Sequence, residues 1–231
     1  MSARYAIYFA PDRPSAWRNF GAHWLGRDEH DNTALPQPVL ANISAPELDL
    51  ITQEPRRYGF HATLKAPFRL ADGYTETSLV ARLSALARQH KPVALGALRI
   101  AKLGDFVGLV PETACVNLQK IAASCVHDLD DLRAPLTATD LARRNANPLD
   151  ARESELLALY GYPYVMERFR LHLTLTGRID ETTAQRVMHA LTPKIAALNA
   201  IAPLSLDRLC MFVERTPGTP FHRIIDLKLN A

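Results

Sequence analysis

Polar and apolar residues alternate in two short segments that share one pattern, Phe60-His61-Ala62-Thr63-Leu64 and Leu171-His172-Leu173-Thr174-Leu175. Alternate side chains of a β-strand point to the same face, so each segment predicts a strand that presents one imidazole and one hydroxyl together. The apolar residues would face the other way, into a core. Two such strands side by side would present both polar pairs to a single cleft.

The remaining hydrophobic pattern predicts helices and strands on either side of these segments. Strands are expected at 4–10, 58–68, 93–103, 106–110, 165–177, 204–214 and 221–229. Helices are expected at 14–25, 75–89, 112–132, 138–145, 151–160 and 181–199. Residues 27–57 are polar and rich in proline, and we expect mostly loop there with a short helical turn at 46–51.

The order of elements repeats along the chain: a His–Thr strand, a helix, a strand, a hairpin and a strand. The two histidines lie 172 − 61 = 111 positions apart. This repetition predicts an α+β fold of two similar lobes whose antiparallel sheets face a central cleft. We expect one bilobal domain over 1–231, with a first repeat at 58–111, a helical insertion at 112–164 and a second repeat at 165–231.

Composition adds limits to this picture. The chain has 231 residues, is 48% hydrophobic and 22% charged, and carries a formal net charge of +3. This charge is too small to favour nucleic-acid or membrane binding by bulk electrostatics. The apolar run from Ala6 to Ala10 is far shorter than a signal-peptide core, and three cysteines without a paired spacing favour reduced thiols. We therefore expect a cytoplasmic protein.

The two His–Thr pairs suit acid–base chemistry at a phosphate. One neutral imidazole could remove a proton from an attacking oxygen while an imidazolium protonates the leaving oxygen, and either histidine could take either role. The hydroxyls of Thr63 and Thr174 could bind non-bridging oxygens. With two histidines handling both protons, no metal and no other cofactor is required. The sequence thus predicts His61 and His172 as catalytic residues of a phosphodiesterase.

Other readings compete with this one. A catalytic metal is an alternative, but the sequence has no His-x-His, H-E-x-x-H or paired-cysteine spacing. A second alternative is a non-catalytic module that binds a phosphorylated ligand or an RNA end. Two titratable groups favour catalysis, since arginine and lysine hold phosphate at any physiological pH. The low charge favours a small phosphorylated sugar or nucleotide over RNA as the partner.

Candidate substrate contacts flank the two strands. Arg57 and Tyr58 come just before the first His–Thr pair, and Lys65 and Arg170 share the predicted polar face of their strands. Arg170 is the best candidate among them because it lies two positions from His172. The segment 27–57 is also a candidate lid.

The motifs His61-Ala62-Thr63-Leu64 and His172-Leu173-Thr174-Leu175 resemble the paired H-x-T-x signature of the 2H phosphoesterase superfamily, which includes cyclic phosphodiesterases and proteins similar to 2′-5′ RNA ligase. The longer strings at 57–68, 161–164 and 169–177 resemble a bacterial branch associated with phosphonate metabolism. The resemblance implies a bilobal fold, with His61, Thr63, His172 and Thr174 in one cleft. It implies a metal-independent phosphoric diester hydrolase that opens a ribose cyclic phosphate, such as 5-phosphoribosyl 1,2-cyclic phosphate.

Overall fold

The computed structural model describes residues 3–113, 115–144 and 148–230, so the predicted helix end at Asn145 lies outside the described residues. The described part is α+β with antiparallel sheets, which confirms the predicted class. The strands are β1 (Arg4–Phe9), β2 (Ala62–Phe68), β3 (Val93–Gly96), β4 (Leu98–Leu103), β5 (Phe106–Pro111), β6 (Leu173–Thr174), β7 (Leu204–Leu206), β8 (Arg208–Glu214) and β9 (His222–Lys228). The helices are α1 (Ala16–Leu25), α2 (Ala45–Arg56), α3 (Glu76–Ala87), α4 (Val116–His127), α5 (Ala138–Arg144), α6 (Ala151–Tyr160) and α7 (Glu181–Ile201).

The sheets combine strands from both halves of the sequence. The larger sheet has the order β2-β1-β8-β9, and a three-stranded sheet has the order β4-β5-β6. The first His–Thr strand therefore lies in a sheet with the C-terminal hairpin, while the second pairs with the earlier strand β5. The helices likewise pack on strands from the other half of the sequence. Helix α3 packs on β8 and β9, whereas α7 packs on β4 and β5. Each predicted repeat thus divides its elements between two layers of the fold.

Helix α1 contacts both His–Thr segments from the side of the core. A Cβ added to Gly21 would lie 2.0 Å from the ring of Phe60, so only glycine allows this close approach. Trp24 on the same helix donates from Nε1 to the carbonyl of Leu175 at 2.7 Å. The apolar residues of both segments are buried, as the alternation predicted: Phe60, Ala62, Leu64, Leu171, Leu173 and Leu175. Packing on α1 therefore fixes the two segments relative to each other.

Strand β2 departs from regular alternation. Its pairing with β1 shifts register twice, with Ile7 opposite Lys65 and Tyr8 opposite Thr63. A bulge adds a residue to one strand and re-aims the side chains that follow it. Lys65 is consequently buried on the side of Ile7, where its Nζ donates to the carbonyl of Val126 at 2.9 Å.

The second His–Thr strand is much shorter than the predicted 165–177. Only Leu173–Thr174 pairs as a strand, and a 3-10 turn occupies Met166–Arg168. The amide of Leu175 still donates to Val107, but its carbonyl bonds to a tryptophan side chain instead of a neighbouring strand. The alternating pattern correctly indicated which side chains are buried. Strand length depends on backbone partners, which the pattern does not encode.

The short helical turn predicted at 46–51 is part of a longer helix, since α2 spans Ala45–Arg56, and the prediction of loop was wrong for the rest of this helix. Ser44 caps the helix, and residues Leu48, Ile51, Thr52 and Pro55 form a buried stripe at helical spacing. Pro55 lacks the amide that would bond to the carbonyl of Ile51, and that carbonyl instead accepts from the amide of Gly177 at 2.7 Å. A proline that argued against a helix thus links α2 to the segment beyond the second His–Thr pair.

Candidate functional site

A cleft of about 620 Å³ is lined by both His–Thr pairs, His61 with Thr63 and His172 with Thr174. Tyr58, which the sequence also singled out, lines it as well. The two imidazoles are close enough for the charge of His172 to lower the pKa of His61. Segments more than one hundred residues apart in sequence therefore supply one shared polar surface.

His61 is held by its backbone and by an aromatic ring. Its Nδ1 lies 2.8 Å from the carbonyl of Gly59, and its ring stacks on Tyr8 with 3.8 Å between centroids. A carbonyl only accepts hydrogen bonds, so Nδ1 carries the proton and Nε2 has the lone pair. The hydroxyl of Thr63 lies 3.2 Å from Nε2 and can donate to it. Gly59 has φ +78°, a conformation that favours glycine.

His172 has the same backbone contact in a more open setting. Its Nδ1 lies 2.9 Å from the carbonyl of Arg170, again two residues earlier. This contact leaves Nε2 as the ring nitrogen available to a ligand. The nearest ring is that of Phe106, tilted by 49° at 5.5 Å between centroids. Both histidines thus have the same tautomer, but a different aromatic ring lies beside each of them.

Burial lowers the pKa of both imidazoles because it disfavours the charged form. The pKa of His61 falls to about 4, chiefly by desolvation, with smaller contributions from the charges of His172 and Arg27. The pKa of His172 is lowered by desolvation, with a smaller shift. Both rings are therefore neutral proton acceptors at pH 7. A bound phosphate would raise both pKa values because a negative charge favours imidazolium.

Three predicted substrate contacts are not among the residues that line the cleft. Lys65 is turned away by the bulge in β2. Arg57 donates from Nη2 to the carboxylate of Glu214. Arg170 donates to the carbonyls of Glu167 and Phe169.

Sequence reasoning missed several residues that do line the cleft: Arg4, Tyr8, Arg144 and Tyr162. A signal for the first two was present, because Arg4, Ala6 and Tyr8 alternate on β1 and share one face. That face was not connected to the cleft because the sequence does not show which strand lies beside β2. Arg144 and Tyr162 come from the helical insertion, whose position depends on tertiary packing.

Two features are absent from the residues that the structure describes. No helix among them is long and apolar enough to cross a membrane. No group of three or more His, Cys, Asp or Glu side chains in the described ranges is arranged to hold a metal ion.

A family model described as "Protein of unknown function (DUF1045)" matches residues 63–222, which is more than half of the chain. The chain belongs to this family. The matched residues include Thr63 and the whole second pair, His172 and Thr174. Family membership does not by itself name a reaction.

Two curated relatives carry the name ribose 1,5-bisphosphate phosphokinase PhnN. The protein from Janthinobacterium sp. (strain Marseille) is 40% identical over 225 residues, covering 94% of this chain and 49% of the relative. The protein from Laribacter hongkongensis (strain HLHK9) is 35% identical over 218 residues, covering 94% of this chain and 50% of the relative. The chain thus spans about half the length of the curated relatives it matches.

These names contradict the reaction class predicted from the sequence. A phosphokinase transfers a phosphoryl group, whereas the prediction was a phosphoric diester hydrolase that opens a cyclic phosphate. The predictions that the protein is a hydrolase and a phosphodiesterase are therefore also contradicted by the names of these relatives. The motif could not decide between these reactions, because positioned imidazoles and hydroxyls serve proton transfer and phosphate binding in both.

Proposed function

We propose that this chain binds a phosphorylated ribose in the cleft between its two His–Thr pairs. The observation that carries the proposal is that His61, Thr63, His172 and Thr174 all line one cavity. The name of the relatives, which specifies ribose 1,5-bisphosphate, supports the ligand class. A cavity of about 620 Å³ is also in the range of small-molecule sites.

Each polar group has a role in this complex. The hydroxyls of Thr63 and Thr174 donate to phosphate oxygens, and Nε2 of His172 takes up a proton and then donates as well. Tyr58 lines the same cleft and can contact the sugar. Because burial keeps both imidazoles neutral at pH 7, binding of a phosphate dianion is coupled to proton uptake.

The two imidazoles are also the proposed proton-transfer residues in a reaction at the bound phosphate. His61 has the larger downward pKa shift and is the better candidate to stay neutral and accept a proton. His172 is then the better candidate to carry one. A kinase also needs a phosphoryl donor, and the sequence contains no G-x-x-x-x-G-K-[ST] loop for nucleotide phosphates. We therefore assign to this chain the ribose-phosphate side of the reaction.

The finer fold assignment belongs to this proposal. A bilobal, duplicated arrangement of the 2H phosphoesterase kind is supported by the paired motifs in one cleft and by the matched roles of α3 and α7. The proposed boundaries remain 58–111 and 165–231 for the repeats, with 112–164 inserted between them. A place in phosphonate catabolism is part of the same proposal.

Isothermal titration calorimetry with ribose 5-phosphate and ribose 1,5-bisphosphate tests the ligand class. We expect the paired variant T63V/T174V to lose at least about tenfold in affinity, since each hydroxyl donates to a charged group. His127→Gln is a matched control, because its side chain is 72% exposed on α4 and does not line the cleft. Equal affinity in the wild type and in T63V/T174V would overturn the proposal.

Turnover of the bound ester, followed by ³¹P NMR with and without MgATP, tests the proton-transfer role. His61→Gln and His172→Gln should each lower the rate at least about 100-fold, the lower limit for one general acid or base. Wild-type rates in both variants, or no turnover by the wild type, would remove the catalytic role and leave the binding site.

A further inference from the structure

Arg4 is a buried cation at the cleft with unused donors. Its side chain is 10% exposed, and its Nε donates to the carboxylate of Glu214. Its Nη1 and Nη2 make no hydrogen bond to any described residue, although Arg4 lines the cleft. Neither atom is among the buried side-chain atoms of the described residues that lack a partner, so both amino groups are accessible at the cleft and can donate to a group that enters it.

The charges around Arg4 leave an excess of positive charge. Glu214 is fully buried and is the carboxylate shared by Arg4 and Arg57, and it also accepts from the amide of Gly218 at 3.0 Å. Within this cluster, one negative charge faces two guanidiniums; Asp140, whose charge also acts on Arg4, forms an ion pair with Arg69. Arg144 lines the same cleft, with its guanidinium 5.1 Å from the ring centre of Tyr162.

The carboxylates that line the cleft lie beside the segment that follows the second His–Thr pair. Asp105 pairs with Arg178 at 3.2 Å, and the carboxylate of Glu54 approaches Gly177. The wall with Arg4 and Arg144 is thus cationic, while the wall beyond the second His–Thr pair has mixed charge. An anion would be favoured at the first wall and not at the second.

The position of Arg4 separates this wall from the two histidines. Arg4 and Tyr8 are on the same face of β1, and Tyr8 stacks on His61. Four residues of strand span about 13 Å between their Cα atoms. An anion on Arg4 would therefore be a different group from the phosphate between the imidazoles.

We propose that Arg4 and Arg144 form a second anion subsite, which binds the distal phosphate of a ligand phosphorylated at two positions. This inference rests on the proposed function for the phosphate held between the histidines. The Nη atoms of Arg4 donate to the second phosphate, and the excess charge of the Arg4–Arg57–Glu214 cluster balances it. The fork of a guanidinium matches the geometry of phosphate oxygens.

Calorimetry with one-phosphate and two-phosphate ligands tests the subsite. We expect ribose 1,5-bisphosphate to bind at least about tenfold more tightly than ribose 5-phosphate. In Arg144→Gln and Arg4→Lys the ratio should fall to within about twofold. Arg4→Lys keeps a cation beside Glu214, and Arg144→Gln leaves that ion pair intact, so folding is preserved in at least one variant. Arg178→Gln, in the segment that follows the second His–Thr pair, should keep the full ratio.

NMR of the arginine Nε–H groups and histidine rings separates the two sites. On addition of ribose 1,5-bisphosphate, the Arg4 Nε resonance should shift together with the rings of His61 and His172. Histidine shifts without an Arg4 shift, or an unchanged affinity ratio in both arginine variants, would overturn the second subsite and keep the proposed function. An Arg4 shift without histidine shifts would keep an anion site at Arg4 and overturn the proposed function.

Discussion

The two His–Thr segments have the same sequence pattern but unequal surroundings. His61 stands beside β2, a seven-residue strand in the four-stranded sheet, and its ring stacks on the buried Tyr8. His172 precedes a two-residue edge strand and faces the half-buried, tilted ring of Phe106. The first imidazole therefore has the more enclosed environment, and its pKa is lowered further by desolvation.

This difference shows how one motif can supply two chemical roles. Two identical imidazoles cannot be told apart as proton acceptor and proton donor, whereas a difference in desolvation separates their proton affinities. The asymmetry comes from the neighbouring strands and not from the motif itself. Changing those neighbours one side at a time tests this explanation.

The largest expected difference lies in the ion pairs of the two sides. Glu214→Gln should lower the free energy of unfolding by about 3 kcal/mol or more, because it leaves two guanidiniums, one of them buried, without their carboxylate. Asp105→Asn, on the side of His172, breaks an exposed pair with Arg178 and should change stability very little. Chemical denaturation of both variants measures this. Similar losses would show that the two sides are equally buried.

The second largest difference is expected in the stability contributed by the aromatic rings beside the two histidines. Tyr8 is 1% exposed, and Tyr8→Ala should cost about 3 kcal/mol, as expected for a buried aromatic side chain. Phe106→Ala removes a half-buried ring and should cost about 1 kcal/mol. Thermal unfolding provides the comparison, with Tyr8→Phe as the control that keeps the stack. A greater loss of stability in Phe106→Ala than in Tyr8→Ala would show that the side of His172 is the more tightly packed.

The pH dependence should separate the two imidazoles. Because the pKa of His61 is about 4 in the folded chain and 6.5 in the reference state, the unfolded chain binds this proton first as the pH falls. Its contribution to stability is therefore complete above pH 6.5 and declines between pH 6.5 and about 4. Histidine NMR titration should find His61 the more acidic of the two. In His61→Gln, denaturation curves across this range should have a weaker pH dependence.

The smallest expected effect concerns the hydroxyls. Thr63→Val removes the contact between Oγ1 and Nε2 of His61, which favours the neutral ring, so the pKa of His61 should rise slightly. Among the residues that the structure describes, His172 makes no corresponding hydrogen bond to Thr174, so Thr174→Val should leave the pKa of His172 unchanged. The same NMR titration tests both variants, and equal shifts would contradict the comparison.

The sequence by itself determined the α+β class, the burial of the apolar residues in both His–Thr segments, and most helices. These follow from local periodicity, which reports the side of an element that loses contact with water. It also singled out the two histidines and two threonines that line the cleft. It did not determine the reaction, since the same side chains serve several kinds of phosphate chemistry.

Tertiary structure alone decided which strands are neighbours and where the flanking cations point. The bulge in β2 buries Lys65, and β1 brings Arg4 and Tyr8 to the cleft from a distant part of the chain. The carbonyl left free by Pro55 is satisfied only because Gly177 lies beside it. Each outcome depends on contacts between residues far apart in sequence, and the free energy of such contacts is set by packing and desolvation rather than by local pattern.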